Sequence, residues 1–277
     1  MQNENEQKLR DLVVKLTESF SWRKDFSEWQ KGRIWQENYQ ENIINFLERF
    51  IPDLKNKKML DLGCGMGGFL VAMKRKGYDI QGLDPNPDYC EITKLRGKRY
   101  NLDVEVINGS GEQMPFGENS FDFIYCNEVL EHCENPTQLL KESYRVLRPR
   151  GQIYITVINR FGFKDPHYHL RFINWLPRFL AKLIIKFKGF EKGNSKAGRQ
   201  RLSSMHYFSY WRFQKLAKNI GFEVLDLKKY KILHSEFLSS QKFQRVINLL
   251  KLLKLINFVY FFARLTLLSG FSFLLKK

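Results

Sequence analysis

Short apolar runs alternate with amphipathic stretches through the middle of the chain. The apolar runs predict strands, each ending near a polar or glycine-containing turn: KKMLDLG, YDIQGLD, DVEVING, SFDFIYCNE and GQIYITVIN. A later run, GFEVLDLKKYKI at residues 221–232, predicts the strand that closes the core. Stretches between them have helical spacing: FLVAMKRKG, PDYCEITKLRGKRY and PTQLLKESYRVLRPRG. Strands that alternate with helices over short connections predict an α/β fold, with a doubly wound, mostly parallel sheet and helices on both of its faces.

A glycine-rich loop follows the first predicted strand. In KKMLDLGCGMGGFL, residues 57–70, four glycines fall within six positions, and Asp61 stands two residues before the first of them. Such a loop brings backbone N–H groups and a helix N-terminus close to a ligand. Ligands of doubly wound sheets bind at the carboxyl ends of the strands. The other polar candidates fall at such ends as well: Asp84, residues 108–112 and residues 127–132.

Two classes of ligand fit this loop. Gly63, Gly65 and Gly68 satisfy the GxGxxG fingerprint of dinucleotide-binding proteins, and Asp84 has the spacing of a ribose-binding acid. Asp61 counts against a dinucleotide, because a carboxylate beside the loop would repel a pyrophosphate. It favours a ligand that carries positive charge and no phosphate. The loop therefore predicts a site for S-adenosylmethionine.

Residues 57–158 resemble the class I S-adenosylmethionine-dependent methyltransferases of the small-molecule type, and within them the ubiquinone-pathway O-methyltransferase-like group. Ordered motifs carry the resemblance: LDLGCGMGG, GLDPN, GEQMPFGENSFDFIYCNEVLEH and YRVLRPRGQIYIT. It implies that the loop cradles the methionine end and the ribose, and that Asp84 accepts hydrogen bonds from both ribose hydroxyls. The implied cofactor-binding residues are Asp61, Gly63, Cys64, Gly65, Gly67, Asp84, Pro85, Ser110, Gly111, Glu112 and Asn127.

One position departs from the pattern of this family. Where its members usually carry an acid for the adenine amino group, this chain has Ser110, in NGSGE. A hydroxyl accepts a hydrogen bond without the charge-assisted strength of a carboxylate. The N–H of Gly111 is expected to serve a ring nitrogen. Glu112 either compensates for the missing acid or occupies its ordinary position in the family.

The segment CNEVLEHCENP follows the fourth predicted strand, where the acceptor substrate is expected. Glu128, Glu131 and His132 share one face if a helical turn forms there. We predict these three as catalytic residues, with His132 removing a proton from a hydroxyl acceptor. The E-x-x-E-H run also resembles ubiquinone-pathway O-methyltransferases and small-RNA 2′-O-methyltransferases, in which such residues and a later histidine hold a divalent cation. That histidine would be His206 here; the alternative is that His132 only lines the pocket.

All of the basic excess lies in the second part of the chain. The net charge of +17 divides into −2 for residues 1–150 and +19 for residues 151–277, which suggests two surfaces with different partners. Residues 173–187 place apolar side chains at helical spacing opposite a ladder of Arg178, Lys182 and Lys186. This pattern is typical of a helix in the headgroup plane of an anionic bilayer.

Residues 255–275 form a second apolar segment. Arg264, near its centre, makes a full membrane span marginal, so an interfacial or re-entrant helix is expected. A helix packed on the globular core is the alternative. The predicted partners are an anionic membrane surface and a small-molecule or lipid-linked acceptor. Nucleic acid fits less well, because the cations are threaded through apolar helices instead of being clustered in a polar groove.

These patterns predict five segments. They are an N-terminal helical lid (1–52), the cofactor-binding core (53–158), a helical insertion (159–205), the end of the core (206–232) and apolar cationic C-terminal helices (233–277). The polar N-terminus lacks a signal-peptide pattern, and the four cysteines have no metal-ligand spacing, so we expect a cytoplasmic protein, peripheral at the inner face of the membrane. The predicted function is O-methylation of a glycan, lipid-linked or quinone-like acceptor. RNA 2′-O-methylation and a non-catalytic scaffold of this fold are the alternatives.

Overall fold

The computed structural model describes residues 2–21, 23–188, 202–234 and 240–277. Two compact units emerge from it. The first comprises Met1–Cys126 and Arg145–Gly151, and the second comprises Asn127–Tyr144 and Gln152–Lys277. Residues 189–201, near the end of the predicted helical insertion (159–205), lie outside the described residues.

Within the described residues, seven strands form one sheet: β1 (Met59–Leu62), β2 (Ile80–Asp84), β3 (Val106–Asn108), β4 (Phe121–Cys126), β5 (Leu147–Ile158), β6 (Glu223–Asp226) and β7 (Gly270–Lys276). Their order is β3-β2-β1-β4-β5-β7-β6. β1 pairs in parallel with β2 and β4, and β2 pairs in parallel with β3. β7 runs antiparallel to both β5 and β6. The predicted Rossmann-like, mostly parallel sheet with helices around it is confirmed.

The helices of the first unit are α1 (Gln2–Thr17), α2 (Phe26–Ile34), α3 (Glu41–Phe50), α4 (Gly68–Arg75) and α5 (Pro87–Lys98). Every residue of β1 and β2 is buried, as expected for strands covered on both faces. The N-terminus of α5 is well defined because the Asn86 side chain accepts the N–H of Asp88 and Pro87 occupies the first turn. Local sequence thus explains this half of the sheet.

The N-terminal region packs onto α5 in the first unit. Leu9 and Val13 of α1 share a buried apolar cluster with Ile92 and Leu95 of α5. In the same unit, the fully buried Arg96 is paired with the Glu37 carboxylate and donates to the carbonyl oxygens of Met66 and Ile34, the latter two bonds at 2.8 Å. Met66 of the glycine loop belongs to the same apolar cluster as Leu9 and Val13, so the predicted N-terminal lid packs beside the glycine loop. Its role as a lid stays a prediction.

The remaining helices are α6 (Pro136–Val146), α7 (Arg178–Phe187), α8 (Tyr210–Ile220), α9 (Leu227–Leu233), α10 (Gln241–Leu252) and α11 (Ile256–Phe262). A π-helical turn, Ala263–Leu267, follows α11. Ala181 and Ile185 of α7 are buried in a cluster with Tyr168, Met205 and Tyr207. These core contacts use a different side of α7 from the apolar stripe seen in the sequence.

The last segment differs from the prediction. Instead of one apolar helix over 255–275, the helical part ends at Leu267 and Gly270–Lys276 forms β7. Phe271, Phe273 and Leu275 of β7 are buried. A strand covered on both faces is an almost continuous apolar run, which an apolar helix also produces in a sequence. The prediction of helices throughout 233–277 is therefore wrong for these last residues.

Two other boundaries are corrected. The strand predicted over residues 221–232 stops at Asp226, whose side chain accepts the N–H of Lys229 at 3.0 Å and so begins α9 as its N-cap. α6 ends at Val146, three residues before Pro149, because the chain already enters β5 at Leu147.

Among the described residues, no single helix has the length and apolarity to cross a membrane. By length and composition alone, the pair Gln241–Leu252 and Ile256–Leu267 passes the same criterion together, with a bend of 115° between its two parts.

A buried hydrogen bond attaches α11 to the residue that caps α9, within the second unit. The Tyr260 hydroxyl donates to Asp226 Oδ2 at 2.6 Å. We expect Tyr260→Phe to lower the free energy of unfolding by about 1–3 kcal/mol, because a buried carboxylate loses a donor. Urea denaturation measures this loss, with Tyr39→Phe, whose ring is 70% exposed, as the control. A loss no larger than in the control would show that this bond does not hold α11 on the core.

Candidate active site

The glycine loop joins β1 to α4 in the first unit. Gly63, Gly65 and Gly67 have φ angles of 69°, 54° and 75°, in the left-handed region that glycine enters at no steric cost. A Cβ on Gly67 would lie 2.5 Å from the Thr93 side chain, whereas a Cβ on Gly65 would meet nothing within 4 Å. The loop therefore packs against the Thr93 side chain at Gly67. At Gly65 it borders open space, where a ligand can approach the backbone.

Asp61, the third residue of β1, is 3% exposed. Its Oδ2 has no hydrogen-bond partner among the described residues. Burial, and next the charge of Asp84, raise the pKa of Asp61 to about 8. A buried carboxylate with an unpaired oxygen is stabilised in its charged form by a nearby cation. These residues fit the ammonium group of S-adenosylmethionine.

Asp84, the last residue of β2, holds the glycine loop in place. Its Oδ2 accepts the N–H of Gly65 at 2.8 Å and its Oδ1 accepts the N–H of Asn86 at 2.9 Å. Burial raises the pKa of this carboxyl, although both hydrogen bonds act to lower it. Each carboxylate oxygen has a second lone pair. Asp84 can therefore position the loop and accept a ribose hydroxyl as well.

Ser110 and Glu112 interact directly. The Ser110 hydroxyl donates to Glu112 Oε2, and the N–H of Glu112 donates to Ser110 Oγ at 3.1 Å. A carboxylate thus lies beside the position where the family usually has one. Both interpretations of Glu112 stay predictions.

The other implied cofactor residues have varied surroundings. Cys64 is buried, and burial raises the pKa of its thiol, so it remains protonated. Pro85 is exposed directly after Asp84, and Gly111 is half-buried between Ser110 and Glu112. Asn127 is half-buried and belongs to the second unit.

The predicted catalytic run, residues 128–132, does not form a helix. Glu128 has a φ of 57°, and its N–H donates to Thr156 Oγ1 at 2.7 Å. A left-handed residue tied to β5 interrupts any helical turn, so the single face predicted for Glu128, Glu131 and His132 is absent. Glu128 is exposed, His132 is half-buried and Glu131 is 1% exposed.

Glu131 and His132 instead meet His167 in the second unit. One nitrogen or carboxylate oxygen from each of the three lies within 4.8 Å of the others. The two imidazole centroids are 5.2 Å apart, and Glu131 Oε1 lies 3.9 Å from His167 Nε2. Burial, with a smaller contribution from Glu128, raises the pKa of Glu131 to about 7. Such a cluster suits proton transfer near neutral pH, and its donor atoms suit a divalent metal.

His167 is not among the residues that the sequence predicts as catalytic. The structure places it half-buried. Asp165 Oδ1 accepts the N–H groups of His167 and Tyr168 at 2.9 and 2.6 Å. An aspartate that accepts the N–H two residues later forms an Asx turn. The aspartate before a short turn was the signal in the sequence that could have identified His167.

The predicted metal-ligand set changes accordingly. Among the described residues, the group able to hold an ion consists of Glu131, His132 and His167, without Glu128 or His206. Glu128, which is exposed and has a left-handed backbone, is not part of this group. His206 contacts Glu131 with its backbone instead of its imidazole: its N–H donates to the carbonyl oxygen of Glu131 at 3.0 Å.

A family model matches the central part of the chain. Residues 60–155 match the family model described as a methyltransferase domain. Over these residues the chain is similar to methyltransferase domains, which is the class of domain that its motifs predict.

The names of the curated relatives specify a reaction, which the family model does not. The ubiquinone biosynthesis O-methyltransferase of Pseudomonas entomophila is 31% identical over 121 residues, which are 42% of this chain and 50% of that protein. The protein of the same name from Xanthomonas oryzae is 31% identical over 109 residues, which are 39% of this chain and 46% of that protein. This chain therefore spans about half the length of the curated relatives it matches.

Solved structures share the fold. A putative sarcosine dimethylglycine methyltransferase from Galdieria sulphuraria is 19% identical with a TM-score of 0.51, over 91% of this chain and 88% of that chain. A Haemonchus contortus N-methyltransferase in complex with phosphomonomethylethanolamine and S-adenosylhomocysteine is 18% identical with a TM-score of 0.52, over 97% of this chain and 59% of that chain. At these identities the likeness concerns the fold alone.

Proposed function

We propose that this protein transfers the methyl group of S-adenosylmethionine to a hydroxyl oxygen. The observation that carries the proposal is the cluster of Glu131, His132 and His167, because a hydroxyl acceptor needs a base and this cluster supplies one. When bound, the cofactor supplies a methyl group that its sulfonium has already activated. The unpaired Oδ2 of Asp61 supports binding of the cofactor's ammonium group.

In the proposed reaction, His132 takes the proton of the acceptor hydroxyl while the new carbon–oxygen bond forms. The carbon–sulfur bond breaks and its electron pair stays on sulfur, which gives a methyl ether and S-adenosylhomocysteine. Glu131, whose carboxylate lies within 4.8 Å of the histidine nitrogens, stabilises the imidazolium in its ionised form. Asp61 and Asp84 contribute by orientation, and positioning of reactants is a large part of such catalysis.

We infer that the acceptor is a quinone-like phenol or a lipid-linked hydroxyl compound. The names of the curated relatives support a quinone-like acceptor. The test is transfer of label from methyl-labelled S-adenosylmethionine to a panel containing a catechol, a lipid-linked sugar and an RNA oligonucleotide. Label in either of the first two is the expected result. Label in RNA alone would favour the 2′-O-methyltransferase, and cofactor binding without any transfer would favour the scaffold.

A divalent cation held by Glu131, His132 and His167 is a second form of the same site. Two imidazoles and one carboxylate are a common set of protein ligands for zinc and related ions. The raised pKa of Glu131 is compatible with this, because a cation would stabilise the ionised carboxylate. A metal there would polarise the acceptor hydroxyl and make its proton easier to remove.

We also propose that the second unit binds an anionic membrane surface. On α10, α11 and adjoining residues, large apolar side chains are exposed: Phe243, Val246, Leu249, Leu252, Leu253, Leu255, Phe258, Val259, Phe261, Phe262 and Leu267. On α7, Phe179 and Leu183 are exposed, and Phe187 is 96% exposed. Residues 243–277 contain six Lys and Arg and no acid. Exposed apolar side chains beside cations are typical of segments that lie at a bilayer interface.

Replacing Phe258 by serine should weaken binding to anionic vesicles by about 10- to 100-fold, because burying an exposed phenylalanine in an apolar phase contributes about 1.5–3 kcal/mol. Flotation with vesicles of phosphatidylcholine, with and without phosphatidylglycerol, measures the bound fraction. Tyr39→Ser, at an exposed position of the first unit, is the control. If wild-type protein does not float with either vesicle, the apolar surface has another role.

A further inference from the structure

A cavity of about 400 Å³ in the second unit is lined by several basic side chains. Arg160, Arg178 and Arg212 contribute guanidinium groups, and His206, Tyr207 and Ser209 complete the polar part of its wall. Cavities of this size are typical of small-molecule sites. None of the described residues that line it is acidic.

Two of these arginines have buried donors that nothing satisfies. The Nη1 atoms of Arg160 and Arg178 are buried and have no hydrogen-bond partner among the described residues. Both guanidinium groups nevertheless have contacts that hold them in place. Arg160 Nη2 donates to the carbonyl oxygen of Leu176 at 2.9 Å, and the Arg178 guanidinium lies 4.7 Å from the Tyr207 ring centroid. Buried donors without partners are rare and costly, so they indicate a missing acceptor.

The charges of the two arginines are also uncompensated. Burial lowers the pKa of both, and the repulsion from Arg178 lowers the pKa of Arg160 further. Asp165 attracts Arg178, but its carboxylate oxygens already accept hydrogen bonds from the N–H groups of His167 and Tyr168 and from the Tyr207 hydroxyl. Neither arginine forms an ion pair with a described residue. The group that fits this cavity is therefore an anion with several acceptor oxygens.

The arginine cavity adjoins the Glu131–His132–His167 cluster within the second unit. The N–H of His206 donates to the carbonyl oxygen of Glu131 at 3.0 Å. The ring of Tyr207 stacks at 6.4 Å from that of His167. One molecule of moderate size can therefore place an anionic group in the cavity and a second group at the cluster.

We propose that this cavity binds the phosphate group of the acceptor, so that the methylated molecule is a phosphate ester whose free hydroxyl reaches His132. The proposal rests on the proposed function and narrows its acceptor class. Guanidinium groups bind phosphate oxygens through paired, charge-assisted N–H donors, whereas an uncharged quinone offers only neutral carbonyl oxygens and no negative charge. The phosphate belongs either to a lipid or to a soluble ester.

Calorimetry with glycerol 3-phosphate tests the phosphate chemistry without any methyl transfer. Arg178→Gln is expected to raise the dissociation constant about 10- to 100-fold, as expected for a lost charge-assisted hydrogen bond. Arg178→Lys keeps the charge but loses the paired donors and should give an intermediate loss. Lys182→Gln removes one exposed charge from the same helix and should change the constant less than about twofold.

A vesicle assay separates the two sources of phosphate. Phosphatidylcholine vesicles with and without phosphatidic acid are floated with the wild type, Arg178→Gln and Lys182→Gln. A lipid-borne phosphate predicts a larger loss of binding for Arg178→Gln than for Lys182→Gln, and a soluble ester predicts equal binding of both. Equal effects of the two variants in both calorimetry and flotation would overturn the proposal. A protein that binds phosphate through Arg178 but transfers no methyl group would instead refute the proposed function.

Discussion

Replacing His132 by alanine is expected to lower kcat for a hydroxyl acceptor by about 10²- to 10⁴-fold, the usual contribution of a general base. The affinity for S-adenosylmethionine should stay nearly unchanged, because every residue that would hold its charged and ribose groups lies elsewhere. His132 is suited to this role because it is half-buried and its neighbours in the cluster are Glu131 and His167.

The pH dependence of turnover distinguishes a base from a residue that only lines the pocket. The pKa of Glu131 is raised to about 7. The ionised carboxylate and the neutral imidazole both gain population as pH rises, so wild-type kcat should increase with pH through about 7. In Glu131→Gln the increase should be smaller and should follow the histidine alone. His234→Ala, at an exposed histidine of the second unit, is the control. If the turnover of His132→Ala equals that of the wild type, His132 only lines the pocket.

The same assay separates the metal form of the site from the simple base. If an ion acts there, a chelator should abolish turnover, a divalent ion should restore it, and His167→Ala should reduce both the bound metal and kcat. Elemental analysis of the purified protein provides a readout that does not depend on activity. If the chelator and His167→Ala have little effect while His132→Ala is inactive, His132 acts as a base without metal.

Asp61→Asn is expected to weaken S-adenosylmethionine binding by about 10- to 100-fold, because the amide cannot pair with the ligand's ammonium group as a carboxylate does. The affinity of the wild type should also depend on pH. The pKa of Asp61 is about 8 in the protein, so at pH 6 the carboxyl must lose a proton before it can pair with a cation. Affinity should therefore rise as pH increases from 6 to 8, by up to about tenfold per pH unit.

Calorimetry in two buffers with different ionisation enthalpies measures the proton released on binding. Near pH 7 a carboxyl with a pKa of about 8 is mostly protonated, so the wild type should release close to one proton on binding, and Asp61→Asn should release less. Asp88→Asn removes an exposed acid from α5 and serves as the control. A pH-independent affinity that is equal in wild type and Asp61→Asn would contradict the assignment. Tight binding of NAD in place of S-adenosylmethionine would restore the dinucleotide interpretation.

Much of the first unit could be predicted from local sequence. β1 to β5 were recognised because each is an apolar run bounded by turn residues. The loop from Gly63 to Gly67 could be predicted for a related reason, since its left-handed backbone positions require glycine. Asp61 and Asp84 follow from these two features, because each occupies a place near the end of a recognisable strand.

The second unit was predicted less well, and its errors share one origin. Glu131 and His132 were identified, but His167 joins them through a turn that Asp165 organises, far along the chain. The apolar run that contains β7 has no feature that separates a strand from a helix. Its conformation depends on hydrogen bonds to β5 and β6, which are distant in sequence.

A feature of this protein could therefore be predicted from sequence when the residues that form it are close together in the chain. Sequence alone predicted the strand–loop–helix at the glycine loop, the two acids beside it and the resemblance to methyltransferase domains, because these depend on residues a few positions apart. Only the folded chain decided which side chains meet Glu131, where the last strand lies and that Arg160 and Arg178 have unsatisfied donors in one cavity. Those features depend on which distant segments approach one another, and the packing of the whole unit determines that approach.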